Sequence, residues 1–320
     1  MTDPRQPRFI QHHEPDNVAG QAEVIAGLLA RQPHASPKFF YDSLGSRLFE
    51  AITELPEYYP TRTEAAIFEA HGRSMANAVG EGATLIDLGA GNCAKAASLF
   101  PVLKPARYVA VDISADFLRD ALQRVQGEYP ELEVTGLGAD FSSDLSLPKD
   151  VLSHRPVFFY PGSSIGNFTP LQASRFLTSV REQSASDGGL LIGVDLVKPT
   201  AVLEAAYDDA LGVTGAFNRN LLRHLNRLIG SDFDPAAWRH VALFNSSSSR
   251  IEMHLEATGT TRVQWTGGQR TFIAGDRIHT ENSYKYTTQS FEALLKEAGF
   301  RRLQHWTDSR GWFAVFWAQV

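Results

Sequence analysis

The sequence predicts an α/β protein built on a doubly wound, mostly parallel sheet, with an inserted α+β domain. Three observations carry this expectation. Between Thr84 and Asp195 short apolar runs alternate with helical patterns, and the first run empties into Gly89-Ala90-Gly91-Asn92. Between Asp195 and about Tyr286 the alternation breaks into two helical patterns and then a series of short strands. Alternating strands and helices build a parallel sheet with helices on both faces. A break in that rhythm marks an insertion.

Each element follows from its local pattern. Met1 to Asn17 is polar and carries Pro4, Pro7 and Pro15. It lacks the apolar stretch of a signal peptide and reads as a loose tail. From residue 21 to 31, Val24, Ile25, Leu28 and Leu29 recur at helical spacing. A short helix is expected over 43–52. A longer one follows the proline-rich stretch at 55–60 and runs to Val79, with Thr61 or Thr63 as its cap. Strands are expected at Thr84–Leu88, Arg107–Asp112, 132–135, Pro156–Tyr160 and Gly189–Asp195, and helices at 93–102, 115–127 and 171–184. In the insertion, helices at 201–211 and 216–229 precede strands at 240–244, 251–257 and Thr261–Trp265. Gly267-Gly268 is a hairpin turn signal, and strands at 271–273 and 278–286 follow. A helix at 290–298, stopped by Gly299, and strands at 301–307 and 312–319 return to the sheet. The domain reading is therefore a core over 61–196 and 287–320, an inserted domain over 197–286, and an N-terminal segment, 1–60, that packs with the insertion.

Composition narrows the class of function. The 320 residues are 43% hydrophobic and 21% charged, which is ordinary for a globular protein. The net charge is −6 with scattered basic residues, so neither nucleic acid nor an anionic membrane is an expected partner. The single cysteine, Cys93, rules out an internal disulfide framework and fits a reducing compartment. No run of eighteen apolar residues occurs. A cytoplasmic, monomeric enzyme with a small-molecule substrate is the expectation. The ten histidines show no pair at metal-ligand spacing with a supporting carboxylate, so no metal is expected.

The glycine loop places a nucleoside-type cofactor. Glycine lets the backbone approach a ligand closely and adopt dihedrals that a Cβ forbids. The loop leaves the carboxyl end of the first strand, where open α/β sheets bind ligands. Asp112 closes the next strand about twenty residues on, where a carboxylate accepts from ribose hydroxyls. Asp140-Phe141 after the third strand suits an adenine edge. A dinucleotide site uses the same physics, so a nicotinamide-dependent oxidoreductase stays open at this point, with Ala94 standing where a third glycine is usual. A tight turn without a ligand is the plain alternative, and Cys93 reads as packing.

Longer strings narrow the choice. They include Lys38-Phe39-Phe40-Tyr41-Asp42, Leu55-Pro56-Glu57-Tyr58-Tyr59-Pro60-Thr61-Arg62-Thr63-Glu64 and Gly162-Ser163-Ser164-Ile165-Gly166-Asn167-Phe168-Thr169-Pro170. Ala206-Tyr207-Asp208-Asp209-Ala210, the stretch from Gly212 to Asn220, Arg250-Ile251-Glu252-Met253 and Glu281-Asn282-Ser283 belong with them. Together they resemble the L-histidine Nα-methyltransferases that make hercynine on the route to ergothioneine, and the match runs from about residue 20 onward. The C-terminal strand pair likewise resembles the end of class I methyltransferase (Rossmann-like) sheets. The resemblance implies that three methyl groups pass in succession from S-adenosylmethionine to the α-amine of histidine. It puts Gly89, Lys95, Asp112, Asp140 and Phe141 at cofactor positions. It puts Tyr58, Asn167 and Tyr207 at positions that hold the amino-acid backbone, and Glu281 and Ser283 at those that hold the imidazole, with Met253 beside the ring. Tyr41, Phe49, Gly162 and Thr214 match pocket positions. At Asn92-Cys93-Ala94 the chain departs from relatives that carry small hydroxyl and acidic residues.

The residue chemistry is compatible with that assignment. The Asn167 amide and Tyr207 hydroxyl donate to a carboxylate without burying a second charge. Glu281 and Ser283 are two apart on a strand, so both address one cavity. A site that hydrogen-bonds polar groups rejects analogues lacking them. Structural readings stand beside these. Met253 alternates with Ile251 and Leu255, as a core residue does, and Tyr207 and Tyr58 are also explained by packing. No strong base is evident, so Tyr41 and Tyr58 are the expected proton relay and amine-positioning groups, and their rings suit a methylated ammonium. An Nα-methyltransferase for tryptophan or tyrosine and an inert cofactor-binding module are the remaining alternatives.

Overall fold

The computed structural model describes residues 6–11, 17–141 and 145–320. The chain opens with β1 (Arg8–Gln11), α1 (Asn17–Leu29), α2 (Ser43–Thr53) and α3 (Tyr59–Val79). Alternation follows through β2 (Thr84–Leu88), α4 (Ala94–Leu103), β3 (Arg107–Asp112), α5 (Ala115–Glu128) and β4 (Glu133–Gly138). It continues with β5 (Pro156–Tyr160), α6 (Pro170–Gln183) and β6 (Gly189–Asp195). Next come α7 (Thr200–Tyr207), α8 (Val213–Ile229), β7 (Trp238–Asn245), β8 (Arg250–Ala257), β9 (Thr261–Trp265), β10 (Gly268–Phe272) and β11 (Arg277–Tyr284). The chain closes with α9 (Thr288–Glu297), β12 (Arg302–Thr307) and β13 (Phe313–Gln319). It divides into two compact units, one of residues 1–13, 60–197 and 285–320, the other of 14–59 and 198–284.

The first unit is an eight-stranded sheet in the order β1-β4-β3-β2-β5-β6-β13-β12. All pairings are parallel except β6–β13 and β13–β12. β2, β5 and β6 are buried along their whole length, as strands covered by helices on both faces must be. Side-chain alternation then sorts each strand into two cores. Ile86, Leu88, Val109, Val111, Phe158 and Ile192 join one. Leu85, Tyr108, Ala110, Val157, Phe159 and Leu191 join the other. Strand order reverses between β2 and β5, which puts a topological switch point at their carboxyl ends.

The loose-tail expectation is corrected at residues 8–11, while 1–5 and 12–16 lie outside the described residues. β1 pairs in parallel with β4, Phe9 opposite Gly136 and Gln11 opposite Gly138. The partner strand is bare enough to accept it: a Cβ at Gly136 would stand 2.8 Å from the Phe9 ring. The Arg119 guanidinium lies 3.6 Å over the same ring, and Arg8 pairs with Asp150 at 2.7 Å. A tail is thus held by stacking and by β4's otherwise unpaired edge. The helix expected to begin at Thr61 or Thr63 begins earlier. Pro60 sits in the first turn of α3, where its missing N–H costs nothing, and both threonines lie inside.

The second unit joins helices to an antiparallel sheet of order β11-β8-β7 and a separate β9–β10 hairpin. In α8 the buried residues Phe217, Leu221, Leu225 and Ile229 recur at helical spacing. The Phe40 ring stacks on Phe217 at 4.6 Å. α7 stops at Tyr207, short of the expected 211, because Asp209 turns the chain. Its carboxylate accepts from the amides of Val213 and Thr214 at 2.9 and 2.7 Å, which starts α8.

Candidate cofactor and substrate sites

The loop after β2 is shaped by what its glycines permit. Gly91 has φ +52° and nothing within 4 Å of where a Cβ would project. It leaves an open cradle ahead of α4 that any side chain would fill. Asp112, at the end of β3, accepts from the amides of Gly91 and Ser114, both at 2.8 Å, one on each oxygen. Burial raises its pKa, and these amide bonds work against that rise. The carboxylate keeps acceptor capacity beyond its backbone amides for a hydroxyl. The Phe141 ring stands 3.7 Å from the Cβ position of Gly89, and Asp140 beside it is half-buried. Gly89, Asp112 and Phe141 therefore line one end of the sheet, and the cradle, carboxylate and aromatic face fit an adenosine-bearing group.

A residue with no role assigned from sequence organises the neighbouring loop. Glu64 of α3 is fully buried. It accepts from Lys95 Nζ at 2.7 Å and from the Gly162 amide at 2.8 Å, tying the loops after β2 and β5 together at the switch point. Gly162 has φ +77°, and a Cβ there would lie 3.0 Å from Lys95 Nζ. Glu64 stands in a quoted string, but nothing in its spacing marks it as buried. Ser163 Oγ accepts from the Asp195 amide at 2.9 Å, which anchors the same loop. Asn167 ends the helical turn that follows and is half-buried.

Beneath the cradle, Asp87 accepts from Tyr108 Oη at 2.7 Å, and its other oxygen is buried with no partner among the described atoms. Desolvation lifts its carboxyl to about 7 despite the tyrosine hydrogen bond. Cys93 is buried and its thiol is pushed up to about 12 by desolvation, so it stays a protonated packing residue.

In the second unit, the expected imidazole residues are gathered by an irregularity of β11. Register slips between His279 and Glu281, leaving Thr280 as an extra residue. Beyond this bulge Glu281 pairs with Met253 and Ser283 with Ile251. Continued without it, the register of His279 opposite His254 would put Glu281 and Ser283 on the opposite face. The bulge thus sets both polar groups on the apolar face with Met253, a re-aiming that bulges perform near active sites. Tyr207 Oη and Ser283 Oγ are 2.7 Å apart. Glu281, Ser283, Met253 and Tyr207 are all buried.

Aromatic rings continue this cluster. Tyr58 meets Tyr207 edge-on at 6.3 Å and Phe49 at 6.2 Å, and Tyr41 meets Phe49 at 5.8 Å. Thr214 is buried in the first turn of α8, beside the Asp209 carboxylate that accepts from its amide. Tyr41, Phe49, Tyr58, Tyr207, Thr214, Met253, Glu281 and Ser283 all belong to this unit, whereas Gly162 and Asn167 belong to the sheet unit. One grouping of histidines and a carboxylate lies outside the linear spacings read in the sequence. Folding brings Glu252, His254 and His279 together, with one ligand atom from each lying within 4.8 Å of the others. Glu252 and His254 are neighbours on one strand, but His279 is distant in sequence, so linear spacing does not reveal the group. No helix among the described residues is long and apolar enough to cross a membrane.

Comparison with known proteins identifies the family. A family model described as "Histidine-specific methyltransferase, SAM-dependent" matches residues 20–320. The chain is 41% identical over 299 residues to the histidine N-alpha-methyltransferase of Mycolicibacterium smegmatis, with 92% of each chain covered. It is 40% identical over 306 residues to that of Mycobacterium tuberculosis, covering 93% of this chain and 94% of the other. It is 32% identical over 277 residues to ergothioneine biosynthesis protein 1 of Neurospora crassa, covering 83% of this chain and 31% of that one.

Proposed function

Since the chain belongs to the histidine-specific, S-adenosylmethionine-dependent methyltransferases, we propose that it trimethylates the α-amine of L-histidine to hercynine. The observation that carries this reading is the bulge at Thr280, which places Glu281 and Ser283 side by side with Met253 and Tyr207. Glu281 accepts an imidazole N–H and Ser283 serves the other nitrogen, while Met253 packs on the ring. Tyr207 donates to the substrate carboxylate. Gly89, Asp112, Asp140 and Phe141 hold the cofactor, and Lys95, fixed by Glu64, neighbours them.

The cofactor supplies a methyl group on a sulfonium, an electrophile that needs no acid catalysis. The chain's own contribution is position, because holding an amine against a methyl carbon converts an encounter into an in-line displacement. The amine must be neutral before each transfer. Tyr58 and Tyr41, in one aromatic cluster with Phe49, relay that proton to solvent, and their rings attract the mono- and dimethylated ammonium between transfers. If Y41F/Y58F left all three transfer rates unchanged, the relay would be wrong.

Mass spectrometry tests the function directly. Histidine, tryptophan and tyrosine are incubated separately with enzyme and S-adenosylmethionine. Histidine alone is expected to gain about 14, then 28, then 42 mass units, one methyl per step. No gain on histidine refutes the proposal, and gains on tryptophan or tyrosine refute the selectivity.

A further inference from the structure

The face of the β11-β8-β7 sheet opposite Met253, Glu281 and Ser283 carries a second cluster that the methyl-transfer reaction does not use. Pairing sets His279 directly opposite His254, and Glu252 follows two residues along the same strand. Two-residue spacing on a strand keeps Glu252 and His254 on one face. Their rings and carboxylate converge: His254 Nε2 is 3.1 Å from Glu252 Oε2, and the His254 and His279 rings are 4.9 Å apart. One donor atom from each of the three residues lies within 4.8 Å of the other two.

We propose that Glu252, His254 and His279 form a site for a divalent transition-metal ion of the Zn2+ class. The nitrogen–oxygen separation on His254 and Glu252 is close to that of two ligands on one zinc, for which bonds of about 2.0–2.1 Å at a tetrahedral angle require roughly 3.3 Å. His279, whose Nε2 lies 3.0 Å from the Glu281 carbonyl, supplies the third donor residue. His254 carries little water to shed, with a side chain 12% exposed.

The donor set chooses the metal. Two imidazoles and one carboxylate suit zinc, nickel or copper, whereas magnesium and calcium demand a shell of oxygens. The neighbours moderate the affinity. Arg250 and Asn245 both donate to Glu252 Oε1, at 2.8 and 2.9 Å, which leaves Oε2 for the cation. Arg277 pairs with Glu256 at 2.7 Å on the same face. Sharing the carboxylate with a guanidinium weakens its hold on a cation. Fewer than four protein ligands leave room for water, as in sites that are filled and emptied.

Equilibrium dialysis of the full chain, stripped with chelator and then exposed to Zn2+ in excess Mg2+, tests the site. One zinc per chain is expected. H254A and H279A should each weaken binding at least about tenfold, since even partners outside the ligand shell cost that much. H305A, a surface histidine beside Glu292, should leave binding unchanged. Circular dichroism checks that the variants fold. Should they fail to fold, Co2+ titration of the unsubstituted chain decides by its visible bands. Zinc binding no stronger than Mg2+, equal binding in all three variants, or a Co2+ spectrum identical to that of the free ion would overturn the proposal.

Discussion

Two buried carboxylates show how much a single residue's surroundings decide. Glu281 is proposed to meet an imidazole, and a hydrogen bond to a charged group contributes about 1.5–3 kcal/mol. E281A is therefore expected to lower kcat/KM for histidine on the order of 10- to 100-fold, and steady-state kinetics check it. Asp87 behaves differently because desolvation outweighs the Tyr108 hydrogen bond and the Lys95 charge that favour its ionised form. Its folded carboxyl titrates at about 7, above the ordinary 3.8, with desolvation as the main cause. The folded protein therefore binds more protons than the unfolded chain between about pH 4 and pH 7, and stability falls as pH rises through that window. Each unit of separation carries about 1.4 kcal/mol. D87N is expected to lose this slope, as denaturant unfolding across pH 4 to 8 will show. If the two slopes match, Asp87 is ionised throughout.

Element-scale features turn on pairing. Deleting Thr280 removes the bulge and slips β11 by one residue, which turns Glu281 and Ser283 away from Met253. Calorimetry should then show histidine binding lost with S-adenosylmethionine binding retained, because the cofactor loops lie in the other unit. In the sheet unit, β1 is short and rests on two glycines of β4. Phe9 is half-buried, so F9A should cost about 1 kcal/mol. Removal of residues 1–11 should lower the thermal midpoint by about 2–4 °C and promote aggregation through the bared edge of β4. β1 was hard to read in sequence because four residues between prolines carry no periodicity of their own. Its partner is Thr135–Gly138, more than a hundred residues away.

For the whole molecule, cofactor binding should appear as stability. A ligand at a hundred times its Kd adds about 2.7 kcal/mol to the state that binds it. S-adenosylmethionine is expected to raise the thermal midpoint of the unsubstituted chain, and D112A should abolish that rise in a thermal-shift assay. An equal rise in D112A would remove this carboxylate from the cofactor site.

By itself the sequence determined the alternation of strands and helices, the Gly89–Gly91 loop, the end of β3 at Asp112 and the family, because each is written in contiguous residues. Periodicity and turn chemistry are local, and so are legible. Three further features were decided only when the chain folded. Glu64 became a buried clamp on Lys95 and Gly162, Thr280 became the extra residue that aims Glu281, and His279 came to rest against His254 and Glu252. All three depend on which distant residue stands opposite. Strand register and helix docking set that by burying the most apolar surface, and no short window of sequence contains both partners.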